Sequence, residues 1–132
     1  MATLAEEMKA HALEAQRFSR KHLVLELDFS EASVAELDNQ CDSVEFAIRG
    51  GKTAENVDML TRIWGAYVGE SLRRVTKSEW CEVPDGAAAR RGLCDPGGET
   101  VFPHDWVRAR LVDKSAEKLS AAFSAARARL AK

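Results

Sequence analysis

Apolar residues recur at helical spacing through most of the chain. Leu4, Met8, His11, Ala15, Phe18 and His22 fall at steps of three and four, which predicts an amphipathic helix over 2–22. The period then changes: Leu23, Leu25, Leu27 and Phe29 alternate with more polar neighbours, as in an extended segment with one buried face. A second helix starts at Ser30 or Ser33, where Ser33-Val-Ala-Glu36 fits a capping box. Val34, Leu37, Cys41, Val44 and Ile48 form its stripe, and Gly50-Gly51 stops it. Thr53 caps a third helix reaching about Val75, with Val57, Leu60, Ile63-Trp64, Tyr67-Val68 and Leu72 on one side. Gly65 and Gly69 lie one turn apart, roughly opposite. Each costs about 1 kcal/mol relative to alanine inside a helix. A close-packed neighbour on the glycine side would offset that cost, so this segment is expected to be the central helix, packed on two sides.

Beyond it the texture turns to β. Ser78–Val83 alternates, 84–92 reads as a loop, and Leu93-Cys94 and Thr100–Phe102 read as short strands. Asp95-Pro-Gly-Gly98 joins those two, with Gly97 expected at the positive-φ position of a type II turn. Pro103 ends the last strand, His104–Leu111 forms a short helix, and Asp113 or Ser115 caps a final helix to about Leu130. The fold class expected is α+β, a helix-rich single domain over 1–132 with a small antiparallel meander of two or three strands.

Charge adds little to this picture. The net charge is -2 and the isoelectric point about 5.9, which gives no electrostatic case for nucleic acid or an anionic membrane. Residues 1–66 hold seven Lys/Arg against twelve Asp/Glu, and residues 67–132 hold twelve against nine. Two halves that attract within one fold explain the split; a basic face for an acidic partner is the alternative. The start carries Glu6 and Glu7 where a signal peptide needs bases, and no apolar stretch approaches a bilayer span. Three cysteines, Cys41, Cys81 and Cys94, make an odd count at unremarkable spacing. A disulfide framework is therefore not expected, and a cytoplasmic location is.

No side-chain set declares a chemistry. Cys81, Cys94 and His104, with Asp105 or Cys41, contain the right donors for zinc but lack the paired spacing that a structural site uses, so no metal and no cofactor is expected. The cysteines read as small core residues. A cysteine–histidine enzyme using Cys81 or Cys94 with His104 is the remote alternative. His11 and His22 read as packing residues. Glu70 and Arg74 stand four apart in the favourable acid-first order, either as a structural ion pair or as one wall of a pocket beside Trp64, Tyr67, Trp80 or Trp106. The paired arginines at 73/74, 90/91 and 108/110 read mainly as solvated faces.

Three stretches, Leu27–Asp38, Trp64–Arg74 with Trp80, and Val101–Leu111, resemble an uncharacterised family of small bacterial domains with the motifs L-D-[YF]-S, G-A-Y-x-G-E-x-L-R-R and V-F-P-x-x-W-V-x-x-R-L. The resemblance spans about 25–125 and picks out Tyr67, Gly69, Glu70, Arg74, Trp80, Pro103 and Arg110. It implies a bacterial cytoplasmic protein of helices plus a small sheet, and supplies no activity to carry over. Cys81 and the 85–92 loop depart from the pattern. The function expected is a non-enzymatic interaction module, immunity- or regulator-like, with a protein partner and a homodimer as one option. A small-molecule-binding domain is the alternative. The candidate pocket or interaction residues are Trp64, Tyr67, Glu70, Arg74, Trp80, His104, Asp105, Trp106 and Arg110.

Overall fold

In the computed structural model, which describes residues 2–132, the chain runs through α1 (Leu4–Leu23), α2 (Glu31–Cys41), the short α3 (Val44–Ala47) and α4 (Ala54–Arg73). The strands β1 (Glu79–Asp85), β2 (Ala88–Cys94) and β3 (Thr100–Val101) follow, then α5 (Pro103–Val112) and α6 (Leu119–Arg129). The strands form one antiparallel sheet in the order β1-β2-β3. This is the expected α+β, helix-rich architecture.

The axle is α4. Thr53 caps it by accepting from the Asn56 N–H at 3.2 Å. From Leu60 to Leu72 only Arg62 escapes burial. The packing of α1 on one flank is close because α1 presents Met8, Ala12, Ala15 and Ser19, three of them small. That buried face is rotated from the predicted stripe: Ala12 and Ser19 are inside, whereas His11 and Phe18 are half-buried and His22 is exposed. The glycine side of α4 is gripped as expected. A Cβ on Gly65 would lie 2.6 Å from Cγ of His104, and one on Gly69 would collide with the Trp80 ring. Each glycine is a notch that admits one ring, and the burial of those rings offsets the helix cost of the glycines.

Between α1 and α2 the predicted alternation is present without a strand. Leu27 is buried and Leu23, Leu25 and Phe29 are half-buried, while Val24, Glu26 and Asp28 are exposed. Among the described residues no strand pairs with the segment; Gln16 Nε2 donates to the Leu27 carbonyl at 2.7 Å instead. Val24 and Phe29 take φ of 51° and 66°, conformations that non-glycine residues rarely adopt. The α2 cap also differs from the expected box. Ser30 is the cap and accepts from the Ser33 N–H at 3.1 Å. Ser33 is thereby free to turn its hydroxyl inward, 2.6 Å from the Tyr67 hydroxyl.

The β region departs most from expectation. The predicted loop over 84–92 is a hairpin, with β1 and β2 paired continuously from Glu79↔Cys94 to Asp85↔Ala88. Its two-residue turn is Gly86-Ala87, with Gly86 at φ 65° where a hairpin turn needs a positive value. In the next turn the positive φ belongs to Gly98 rather than Gly97, and Gly98 N–H donates to the Asp95 carbonyl at 3.1 Å. Asp95 organises that turn: Oδ1 accepts from the Gly97 and Glu99 amides, both at 2.9 Å. Cys81 and Cys94, expected to be free, are joined by a disulfide across the hairpin with Cα atoms 6.1 Å apart. Their registers, Cys81↔Gly92 and Cys94↔Glu79, place them diagonally across the pair. The odd cysteine is Cys41, buried on α2.

Asp113 and Ser115 form a tight turn, and α6 begins later than predicted, at Leu119. No local side chain caps it. The capping oxygen comes from α2, where Asp38 Oδ1 accepts from the Leu119 N–H at 2.7 Å. The same carboxylate receives Arg110 of α5, so one acid joins three helices.

Candidate functional site

Of the nine residues singled out in the sequence, Glu70, Trp80 and His104 touch in series, with the Trp80 and His104 rings 5.7 Å apart, and the nine do not gather around one cavity. Trp64 is fully buried and its Nε1 donates to Ser19 Oγ at 3.3 Å. Tyr67 is equally buried; its hydroxyl oxygen accepts from the Phe29 N–H at 2.6 Å and its phenol is pushed up by burial. Glu70 is buried, but its partner is not Arg74. It accepts from Trp80 Nε1 at 2.8 Å and from Arg73 Nε at 3.0 Å, so the ion pair spans three residues rather than four. Arg74 points outward and lays its guanidinium over the Phe29 ring, 3.7 Å from the centroid. Trp106 is a half-buried packing residue. Arg110 is only 2% exposed. Its Nε meets Asp38 Oδ1 at 2.8 Å, Nη1 meets the Lys114 carbonyl, and Nη2 meets Asp38 and Asp42. The expected solvated arginine is thus a buried structural one, its pKa raised chiefly by the bond to Asp38.

A cavity of about 370 Å³ does lie beside Glu70 and Arg74, lined also by Lys9, Ala12, Leu13, Phe29 and Arg73. In it Glu70 already has two partners, so its wall offers satisfied groups. The larger cavity, about 500 Å³, lies elsewhere. Glu7, Met8 and His11 of α1 line it, with Asp58, Thr61 and Arg62 of α4, Ala89, Arg90 and Arg91 of β2, Phe102, and His104, Asp105 and Arg108 of α5. Two of the predicted residues, His104 and Asp105, belong to it.

This site follows from the local folding. Pro103 occupies the first turn of α5, where its missing N–H costs nothing, and fixes His104 at the following position. The Gly65 notch lets the His104 ring sit against the α4 backbone. The hairpin lays Ala89, Arg90 and Arg91 along the opposite wall, with the Arg90 guanidinium stacked 3.7 Å from the Phe102 centroid. Burial pushes the His104 imidazole down to about 4. The His11 ring is lowered too, first by burial and then by the nearby Arg62 charge. Both rings are neutral near pH 7.

Four buried side-chain polar atoms lack a hydrogen-bond partner among the described residues: His11 Nδ1, Asp42 Oδ1, Thr61 Oγ1 and His104 Nδ1. Three of these belong to residues lining this one cavity. An unpaired buried donor or acceptor costs about 1–3 kcal/mol, so such atoms are few and tend to mark functional positions. Around the mouth stand ion pairs, Arg90 with Asp105, Arg91 with Glu7, Arg108 with Asp58 and Arg62 with Glu14.

No family model matches the chain, and no curated protein or solved structure is significantly similar to it. The motif residues nevertheless have physical roles of their own. Gly69, Glu70 and Trp80 form one packed and hydrogen-bonded unit, and Arg110 ties α5 to Asp38, the acid that also caps α6.

The cysteine–histidine expectation loses its nucleophile. Cys81 and Cys94 are bonded to each other, and burial pushes the Cys41 thiol up to about 12, far from a reactive thiolate. No group of three or more His, Cys, Asp or Glu among the described residues is placed to hold a metal ion. Among those residues no helix is long and apolar enough to cross a membrane.

Of the lining residues, Thr61 and Arg62 were passed over in the sequence, His11 was read as packing, and Arg90, Arg91 and Arg108 as solvated faces. His11 looked like one more position on a helical stripe. One signal was present: Asp85-Gly86 is a strong hairpin dipeptide, and would have put Arg90 and Arg91 on a strand.

Proposed function

We propose that the protein is a small-molecule-binding domain whose ligand occupies the cavity between α1, α4, α5 and the β2 wall. The observation that carries this reading is the clustering of three unpartnered buried polar groups, from His11, Thr61 and His104, around one cavity. Its volume of about 500 Å³ falls within the range of metabolite pockets, roughly 300–1,000 Å³. The lining mixes Met8 and Phe102 with polar groups, the mixture that gives a pocket both affinity and orientation.

A thermal-shift screen of small metabolites tests the reading. A ligand at about 100 times its dissociation constant adds roughly 2.7 kcal/mol, or about 10 °C for a chain of this size. Thr61→Val keeps the side-chain shape and removes the hydroxyl, and is expected to weaken a true hit about tenfold. Hits indifferent to both Thr61→Val and His104→Phe would place the ligand elsewhere and remove the proposal.

The interaction-module reading has less behind it. Val24, Phe46 and Val112 are exposed, Phe46 at 88%, but isolated apolar side chains on a surface are ordinary. A single monomeric species in sedimentation velocity would dispose of the homodimer. The cytoplasmic location also loses its footing as a proposal, because Cys81–Cys94 is the kind of bond that oxidising compartments preserve.

A further inference from the structure

We propose that the ligand of this cavity is a small organic anion, a carboxylate or phosphate ester, whose acidic group is held by the arginines of the mouth. The inference rests on the binding-domain reading above and adds the ligand's class. Its basis is the way the arginines are used. Arg110, inside the fold, engages all three of its nitrogens. The four arginines around the mouth engage one or two groups each and leave most of their donors unused. Among the described residues, Arg62 and Arg91 bond through Nη1 alone, and Arg90 and Arg108 through Nη2 alone. A guanidinium carries five N–H donors in a planar fork that matches carboxylate and phosphate oxygens two at a time. Single-nitrogen pairing leaves the second prong of every fork open.

The resident carboxylates are poor competitors for those forks. The side chains of the four mouth pairs are all between 38% and 67% exposed, and ion pairs so hydrated contribute little to stability. A ligand acid can share or displace them at small cost. The lining itself holds four guanidinium groups against three carboxylates, since Glu14 lies outside it. The arginines come from three elements, α4, β2 and α5, all of which line this cavity. Deeper in, the neutral rings of His11 and His104 and the Thr61 hydroxyl favour an uncharged polar or aromatic body over a second charge.

The chain has three histidines, which makes the test direct. His11 and His104 line the cavity, while His22 is exposed and lies tilted against Phe18. Imidazole ¹H–¹⁵N correlation spectra of the disulfide-intact protein are recorded during titration with phenyl phosphate, benzoate, benzyl alcohol and benzamide. The two acids are expected to shift the His11 and His104 signals saturably and leave His22 in place. Raising salt should weaken them, and Arg62→Gln and Arg91→Gln should each weaken them on the order of tenfold. Both substitutions are at exposed positions, and unchanged backbone spectra verify the fold. If neutral and acidic probes bind alike, or the acids ignore both arginine substitutions, the anion assignment is overturned and the cavity reading survives. If no probe moves His11 or His104, the two fall together.

Discussion

Removing the Asp38 carboxylate strands a buried cation and uncaps a helix in one step. Arg110 is 2% exposed and Asp38 is 3% exposed, and they meet at 2.8 and 3.2 Å. Breaking such a pair from one side costs about 3–5 kcal/mol, because the remaining charge has no water to return to. Asp42 stays 3.1 Å from Arg110 and keeps some compensation, which favours the lower end. Loss of the bond from the Leu119 N–H adds roughly 1 kcal/mol. The total for Asp38→Ala is about 4–5 kcal/mol. For 132 residues the entropy of unfolding converts each kcal/mol into about 3.6 °C, so Tm should fall by roughly 14–18 °C. Asp38→Asn retains one oxygen for Leu119 and should recover about 1 kcal/mol of the loss. Asp38→Leu combined with Arg110→Met removes both charges, and should be much less destabilised than Asp38→Ala. Differential scanning fluorimetry with urea titration reads all three. A Tm for Asp38→Ala within about 4 °C of the parent, or a double variant no better than the single, would refute the reasoning.

Two further outcomes follow from the structure. Reducing Cys81–Cys94 releases a link between residues 13 apart, worth about 3 kcal/mol in the chain-entropy view, so Tm should drop roughly 10 °C once mass spectrometry shows both thiols free; a change below about 3 °C would mean the hairpin is held by pairing alone. His104 has a folded-state pKa of about 4 against 6.5 unfolded, so the unfolded chain binds the extra proton first as pH falls. Stability should therefore decline by up to about 3 kcal/mol from pH 6.5 to pH 4, with His11 adding in the same direction. Asp28, Asp42, Asp95 and Asp113, all lowered by hydrogen bonds, begin to contribute only below about pH 4, where the unfolded carboxylates protonate. A His104→Phe variant should lack most of the upper-window decline, and an unchanged slope would contradict the assigned burial.

The sequence made the helices legible because their signals are local. Thr53, the apolar stripe to Leu72 and the two glycines sufficed to place the axle and its two-sided packing. Alternation at 23–29 located one buried face correctly but could not say whether a partner strand existed. Features decided by distant residues stayed hidden. Arg110 meets Asp38 across 72 positions, and no spacing rule separates such an arginine from an exposed one. Glu70 pairs with Arg73, while Arg74 lies over Phe29, a residue brought in from the α1–α2 connection. The cysteine pairing required the β1–β2 register, which depended on reading 85–88 as a turn. His104 and Asp105 were singled out as pocket or interaction candidates, but the cavity they line needed α1, α4 and β2 to be placed first.

The notch at Gly65 gives the cavity two kinds of wall. On one side the boundary is main chain, with an imidazole laid flush upon it, and any larger residue there would displace the ring. On the other side it is a hairpin whose outward positions from Pro84 to Arg91 are in solvent. Substitution along that hairpin therefore alters the rim, where Arg90 and Arg91 pair with Asp105 and Glu7, while the depth set at Gly65 stays as it is.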